Sequence, residues 1–258
     1  MSRINKNRIG ERRLMKCGEE AEIIEYKKYD DITIKFKSSG ELAKCRYSEF
    51  KKRAIKSHFT PTVYEFGVVG LEKTKENGKH LKSYEIWRSM LKRCYDKKEQ
   101  KRYPRYEKCS VCDEWKYYKN FKKWYEENYY EVEGQRMHLD KDILIKGNKV
   151  YSPETCVFVP ERINILFIKS NKIRGDYPIG VNWHERDKIY ESGCSIFDTT
   201  INKNKRKYLG RYNTPQEAFQ VYKQFKESYI KQIADYYKDR IPEKLYNAMY
   251  NYKVEITD

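Results

Sequence analysis

A short stretch of the sequence combines an imidazole, two carboxylates and two amides. His138, Asp140 and Asp142 alternate along it, and Asn148 and Asn164 follow. Hydrolysis of a phosphodiester bond needs a base that activates water and oxygen ligands that hold a divalent cation near the developing charge. These residue types therefore make the stretch a candidate site for hydrolytic chemistry.

Local patterning predicts the elements that would position these side chains. Residues 137–144 can form a strand, and the polar run 145–149 a turn. A return path over 150–159 would follow. Pro160 suits the first turn of a helix, and apolar residues continue at helical spacing to Phe167. The predicted order is strand, turn, strand, helix.

This stretch resembles the ββα-metal core of HNH nucleases, in particular the bacteriophage-type, homing-endonuclease-like branch. The matching elements are His138, Asp140, the Gly-Asn-Lys run at 147–149, and Asn164 on the helix. The resemblance implies that His138 is the general base and that Asn164 and a nearby carboxylate bind Mg²⁺ or Mn²⁺. It also implies that Asn148 orients the imidazole or braces the loop.

The sequence departs from that pattern in the residue that precedes the base. Relatives have Asp or Asn there, whereas this chain has Met137, so the carboxylate ligand must be Asp140 or Asp142. In an alternative register Asp140 is the ligand and Lys141 occupies the position of the base, which would slow or alter hydrolysis. In a third interpretation the carboxylates form a surface charge cluster and Asn148 is only a turn residue.

The C-terminal third follows a β-then-α plan. Candidate strands cover 181–184, 190–197 and 205–212, and Thr214 begins a helix with the sequence of a capping box. Residues 177–181 and 208–222 resemble the APETALA2-type DNA-binding domain. That resemblance implies three antiparallel strands packed on one helix, with the sheet face in the major groove.

Basic and aromatic residues lie on or beside these three strands. Their side chains can reach guanine edges or phosphates, although a basic sheet that is only solvated is the alternative. The candidate DNA contacts are Trp183, His184, Arg186, Lys203, Lys205, Arg206, Lys207 and Arg211.

One pair of cysteines has the spacing of half a structural zinc site. Cys109 and Cys112 would need two further ligands, and Cys94 and Cys156 are isolated in the sequence. We therefore expect two buried cysteines in a turn beside a helix, with structural Zn²⁺ as the alternative. The seven cysteines form no dense framework, so we expect reduced thiols in a cytoplasmic protein.

The remaining patterns predict a modular α+β chain. Residues 1–56 alternate as a small β module, and 57–80 have the composition of a linker. Residues 81–170 would hold helices that lead into the ββα core, with the DNA-binding domain over 176–258. The aromatic residues of 84–125 recur at helical spacing, which is typical of a buried face.

Charge indicates the class of partner. The 258 residues carry 55 Lys and Arg against 38 Asp and Glu, a net charge of +17. A strongly basic chain favours a polyanion, and we expect double-stranded DNA. No apolar run is long enough to cross a bilayer, so we expect no membrane partner. The sequence leaves the oligomeric state open.

Together these features predict a metal-dependent DNA endonuclease or nickase, targeted by its C-terminal domain. The alternative is a DNA-binding protein with a degenerate core that acts as a repressor or an anti-defence factor. A third hypothesis is a module that binds only protein, through the aromatic helices of 84–130. Such binding would depend little on salt, unlike either DNA hypothesis.

Overall fold

The computed structural model describes residues 8–168, 177–198, 203–256 and 258. It has a mixed α+β architecture with several small sheets, which confirms the predicted fold class. The chain forms two compact units. Unit 1 comprises the residues up to Glu127 together with Lys149–Ser152, and unit 2 comprises Asn128–Asn148 and Pro153–Asp258.

Unit 1 begins with a four-stranded antiparallel sheet whose strands pair in chain order. Alternation of apolar and polar residues places Ile32 and Ile34 in the core, where Phe50 of the following helix packs on them. The elements are β1 (Arg12–Leu14), β2 (Glu20–Lys28), β3 (Asp31–Phe36), β4 (Leu42–Cys45) and α1 (Tyr47–Lys51).

The segment predicted as a linker carries backbone structure of its own. Within 57–80, β5 (Lys75–Glu76) pairs with β6 (Lys79–His80) in a short hairpin. Val68 forms a bridge with Tyr117, and the Val68 N–H donates to the Lys116 carbonyl. This part of the segment is therefore held by backbone hydrogen bonds.

Helices make up the rest of unit 1, and their aromatic residues face the interior. Trp87, Trp115 and Phe121 are fully buried, and the Trp87 indole N–H donates to the Trp115 carbonyl at 2.7 Å. The helical spacing of these residues predicted a buried face, and the structure confirms it. The elements are α2 (Lys82–Tyr95), α3 (Lys97–Arg102), β7 (Ser110–Val111), α4 (Tyr118–Asn128), and β9 (Val150–Tyr151), which pairs in parallel with β7.

Unit 2 contains the strand, strand and helix of the candidate site. Two antiparallel strands, β8 (Met137–Asp140) and β10 (Val157–Pro160), lead into α5 (Glu161–Leu166). Met137 and Leu139 are buried, and α5 packs on the strand that holds them. The predicted segment 81–170 thus contributes to both units. Its boundary with the C-terminal domain, between 170 and 176, lies outside the described residues.

The remainder of unit 2 is a three-stranded antiparallel sheet on a long helix. The strands β11 (Val181–His184), β12 (Ile189–Asp198) and β13 (Lys203–Tyr212) follow in order, with α6 (Pro215–Tyr237) and α7 (Glu243–Tyr250) after them. Val181 and Cys194 pack on Ala218 of α6. Each of the two longer strands begins earlier than predicted. In the regions that the structure describes, no helix has the length and apolarity needed to span a membrane.

Candidate functional site

His138 and Asp140 lie on the same face of β8. Burial alternates along the strand, so Met137 and Leu139 face the core while His138 and Asp140 face the other side. On β10, Val159 lies opposite His138 and Val157 lies opposite Asp140. The strand therefore presents an imidazole and a carboxylate side by side, and the Nε2 atom of His138 is shielded from solvent.

Asp140 ends the strand. Its Oδ1 accepts hydrogen bonds from the backbone N–H groups of Asp142 at 2.9 Å and Ile143 at 2.8 Å. This turn closes on the aspartate itself, which is why β8 stops at Asp140 although the strand was predicted to reach residue 144. No hydrogen bond from a described residue reaches the second oxygen, Oδ2, so that atom is the one available to a ligand.

The environment of Asp140 disfavours its charge. Burial raises the pKa of Asp140 to about 6, and the neighbouring Asp142 carboxylate acts in the same direction. The two backbone N–H bonds oppose this shift. A cation bound beside this carboxylate would favour its ionised form.

Lys141, Asp142 and Asn148 form the loop that follows the strand. The Lys141 side chain is buried, and its Nζ lies 3.3 Å from Oδ2 of the half-exposed Asp142. The Asn148 amide donates to the Lys141 carbonyl at 2.7 Å. Asn148 thus braces the loop in this structure, one of the two roles that the resemblance implied for it.

Asn164 is carried by α5, which packs against both β8 and β10. The Asn164 side chain is half-buried. Its backbone carbonyl accepts a hydrogen bond from the Phe167 N–H where the helix ends. The helix therefore places an amide beside the strand that holds His138 and Asp140.

Oxygen donors dominate this site. The residues that the structure describes include no group of three or more His, Cys, Asp or Glu side chains that could hold a metal ion. An Asp and an Asn that leave the remaining positions to water suit Mg²⁺, which usually binds through one or two carboxylates and keeps several waters. The donor set of Asp140 and Asn164 therefore fits this ion.

Sequence reasoning missed the residues that hold the loop from the C-terminal side. Lys146 donates to the Asp258 carboxylate at 2.9 Å and to the Lys253 carbonyl at 2.9 Å. Its ammonium also lies 5.1 Å from the ring centre of Tyr252. No local pattern signals these contacts, because they join residues more than a hundred positions apart.

Trp183, His184 and Arg186 lie in or near the turn between β11 and β12, and Arg211 reaches the same turn from β13. All four candidate DNA contacts have side-chain partners there. Asp187 lies within 3.4 Å of His184, 2.9 Å of Arg186 and 2.8 Å of Arg211. Arg211 also pairs with Glu191 at 3.0 Å. Trp183 lies beside this group, and its indole N–H donates to Glu185. These contacts fix the side chains in place and compensate part of their charge.

The other four candidates lie in the first half of β13, an edge strand of the sheet. Arg206 and Lys207 point to opposite sides: the Lys207 ammonium lies 4.9 Å from the ring centre of Phe225 on α6, while the Arg206 guanidinium reaches the Asn182 side chain. Residues 203–208 are all exposed. The strand therefore presents a basic edge made by Lys203, Lys205, Arg206 and Lys207, with Asn204 between the first two.

The two cysteines with zinc-like spacing flank β7. Cys109 is buried, and its thiol donates to the Arg105 carbonyl at 3.7 Å. The Cys112 N–H donates to the Tyr151 carbonyl at 2.9 Å. Neither forms a disulfide, and the same holds for Cys94 and Cys156. Cys109 therefore packs as a small apolar residue in this turn. Cys112 is only half-buried, so the expectation of two buried cysteines was wrong for it.

The site thus combines an imidazole and a carboxylate on a strand with an amide on the helix that packs on it, in the same unit as a basic sheet edge. No protein family, curated protein or solved structure matches the chain.

Proposed function

We propose that the chain is a metal-dependent DNA endonuclease or nickase. In this proposal β8, β10 and α5 form an HNH-type ββα core, and β11–β13 with α6 form an APETALA2-type DNA-binding domain. The observation that carries it is that His138 and Asp140 share one face of β8 and that α5, the helix that carries Asn164, packs on the same strand. These residues belong to elements that follow the strand, strand and helix order of that core.

The chemistry follows from the donor types. His138 is assigned as the general base that takes a proton from the attacking water. Asp140, through Oδ2, and Asn164 would hold Mg²⁺, which when bound supplies charge neutralisation at the scissile phosphate. Asn148 keeps the loop closed through Lys141 and does not itself meet the substrate.

The basic edge of β13 supports the DNA partner. Its four cations lie within the exposed run 203–207 of one strand, which suits contacts along a phosphate backbone. The positive charge of Arg186 and Arg211 is partly neutralised by Asp187. We therefore assign contacts with the DNA phosphates first to Lys203, Lys205, Arg206 and Lys207, and only secondarily to Arg211 and its neighbours.

A second candidate function is DNA binding without cleavage, as in a repressor or an anti-defence factor. The observation that favours it is the buried Lys141 beside Asp142, in the position of the base in the alternative register. A lysine held by a carboxylate is a poor base at neutral pH. If Lys141 occupies the position of the base, the core of β8, β10 and α5 has a structural role only. The sheet of β11, β12 and β13 is then the functional surface.

A plasmid nicking assay tests the proposal. Supercoiled plasmid is incubated with the purified chain and Mg²⁺ or Mn²⁺, in parallel with His138→Ala and Asp140→Asn. We expect metal-dependent nicking that both substitutions abolish. The matched control is Glu243→Ala, an exposed residue in the first turn of α7 and outside the candidate core, which should nick at the unsubstituted rate.

Intact plasmid in the presence of either metal, together with salt-sensitive DNA binding, would contradict the nuclease and support the second candidate. If His138→Ala still nicks the plasmid and Asp140→Asn does not, the general base is a residue other than His138.

A further inference from the structure

Unit 2 contains a cleft that the proposed cleavage chemistry does not use. Its volume is about 750 Å³. Its lining comes from α5 and the segment after it, from the central strand β12 and the edge strand β13, and from α6, here called its floor. The helix that carries Asn164 therefore turns a second face, which includes Arg162, toward this cleft.

Three cations line it. Arg162 lies over the ring of Phe197, with 4.3 Å from the guanidinium carbon to the ring centre. The Arg206 side chain extends into the cleft from β13. With the Asn182 amide oriented to accept, its side-chain oxygen receives two hydrogen bonds from the Arg206 guanidinium, at 2.7 and 3.0 Å. Lys226 reaches in from α6 and is half-buried. Among the residues described, neither Arg206 nor Lys226 forms an ion pair with a carboxylate.

Burial disfavours the charge on Lys226. Burial lowers the pKa of this ammonium, and the nearby Cys194 thiol only partly opposes that shift. A half-buried ammonium without a carboxylate partner is costly, and an anion bound beside it would remove that cost.

Two carboxylates also line the cleft. Asp258 is paired with Lys146, so its charge is compensated within the protein. Glu161 lies at the exposed N-terminal end of α5. The excess of positive charge is therefore located on the side of Arg206 and Lys226.

Aromatic rings complete the lining. Tyr222 is buried in the floor, and the Tyr229 hydroxyl accepts from the Phe197 N–H at 2.9 Å. Tyr236 stands at the rim with 62% of its surface exposed, and the Arg240 guanidinium lies 4.4 Å from its ring centre. An exposed ring next to buried apolar walls offers a face on which a planar group can stack.

We infer that this cleft is a binding site for a single unstacked nucleotide, with the phosphate at Arg206 and Lys226 and the base against Tyr236. The volume is that of a site for one small ligand, and duplex DNA is too wide to enter it. The inference rests on the proposed function for its substrate class, since the β13 edge that would bind duplex also supplies Arg206. It places an unpaired nucleotide beside the helix of the candidate catalytic core.

Affinity for single-stranded DNA tests the inference without requiring cleavage. Fluorescence anisotropy is measured with a labelled oligo(dT) of about ten nucleotides, within the range of single-strand site sizes. A duplex of equal length is measured at the same salt concentration, because both affinities depend on salt. Lys226→Met removes the charge and keeps the apolar stem, and Tyr236→Ala removes the exposed ring.

We expect each substitution to raise the Kd for the oligonucleotide about tenfold, in line with the loss of one stacking or phosphate contact. The Kd for the duplex should change by less than about twofold, since neither residue lies on the β13 edge. The matched control is Lys223→Met on the same helix, which pairs with Glu227 at 3.9 Å and does not line the cleft. It should alter neither Kd, and thermal melting confirms that each variant folds.

Competition with free thymidine monophosphate distinguishes the sources of the nucleotide. Displacement of the oligonucleotide assigns the site to a nucleotide whether free or in a strand, and no displacement assigns it to a strand alone. Oligonucleotide affinities within about twofold of the unsubstituted value in both Lys226→Met and Tyr236→Ala would overturn the inference. Absence of plasmid nicking with cleft-dependent oligonucleotide binding would contradict only the proposed function.

Discussion

The Nζ atom of Lys146 lies 2.9 Å from Oδ2 of Asp258, which is 112 residues further along the chain. Asp258 is 4% exposed, and the same oxygen accepts the backbone N–H of Glu255 at 2.9 Å. Lys146 belongs to the loop between β8 and β9. The C-terminal segment therefore clamps the loop that follows the candidate catalytic strand.

Removing that clamp should lower stability. We expect Asp258→Asn to reduce the free energy of unfolding by about 1–2 kcal/mol, because a charge-assisted hydrogen bond is lost and Lys146 stays partly buried. Urea denaturation followed by circular dichroism measures this. Glu255→Gln is the control, since its contact with Lys146 is 3.5 Å long and 60% of the Glu255 side chain is exposed. Glu255→Gln should lower the free energy of unfolding by less than about 0.5 kcal/mol. Equal losses in Asp258→Asn and Glu255→Gln would argue against the clamp.

The start of α6 depends on a capping box. The Glu217 N–H donates to the Thr214 hydroxyl at 3.3 Å, and the Thr214 N–H donates to the Glu217 carboxylate at 3.2 Å. Thr214→Ala should therefore lower the free energy of unfolding by about 1 kcal/mol. The exposed neighbour Asn213 serves as control, and Asn213→Ala should leave the denaturation midpoint nearly unchanged. A midpoint shift of the same size in both variants would count against the cap.

The two registers of the candidate core predict different kinetics. If His138 is the base, His138→Ala should slow nicking by at least about a hundredfold, the usual contribution of a general base. Lys141→Met should slow it by less than about tenfold, because its ammonium is held by Asp142 outside the reaction. Single-turnover nicking rates measure both effects. The reverse order of effects would select the register with Lys141 at the position of the base.

Metal removal should separate cleavage from binding. With EDTA in place of Mg²⁺ we expect no nicking, while the Kd for duplex DNA stays within about twofold, because the basic edge of β13 holds no ligand of the assigned metal. Gel-shift titration at fixed ionic strength provides the measurement. Loss of duplex affinity with EDTA, restored by Mg²⁺, would show that the metal site also binds the DNA.

Unit 1 should lose stability in acid partly through Glu41. Burial tends to raise the pKa of Glu41, but hydrogen bonds from the His58 ring, the Ser57 hydroxyl and the His58 N–H outweigh it, and the net pKa is lowered. Because the pKa of Glu41 is lower in the folded state, the ionised carboxylate stabilises the fold at pH values above its ordinary pKa of 4.5. This stabilisation is lost as the pH falls through the lower pKa of the folded state.

We therefore expect Glu41→Gln to lower the free energy of unfolding at pH 7 and to lose less stability than the unsubstituted chain below pH of about 4.5. Denaturant titrations across this range provide the comparison, with the exposed Glu107→Gln as control. Parallel pH profiles for Glu41→Gln and the unsubstituted chain would contradict the assignment.

Several features of the chain followed from residues that are close in sequence. The capping box at Thr214 involves residues three positions apart, and the aromatic stripe that includes Trp87 and Phe121 follows the helical period. The α+β class follows from such local patterns as well. Hydrogen bonds of caps and the periodicity of a buried face depend on near neighbours, so one sequence is sufficient to predict them.

Only the tertiary structure decided how the candidate site is closed and what lies beside it. The clamp of Lys146 by Asp258 and the cleft that Lys226 shares with Arg162 join segments far apart in sequence. Such contacts depend on how distant surfaces pack, and hydrophobic packing is not directional, so no spacing along the chain specifies them.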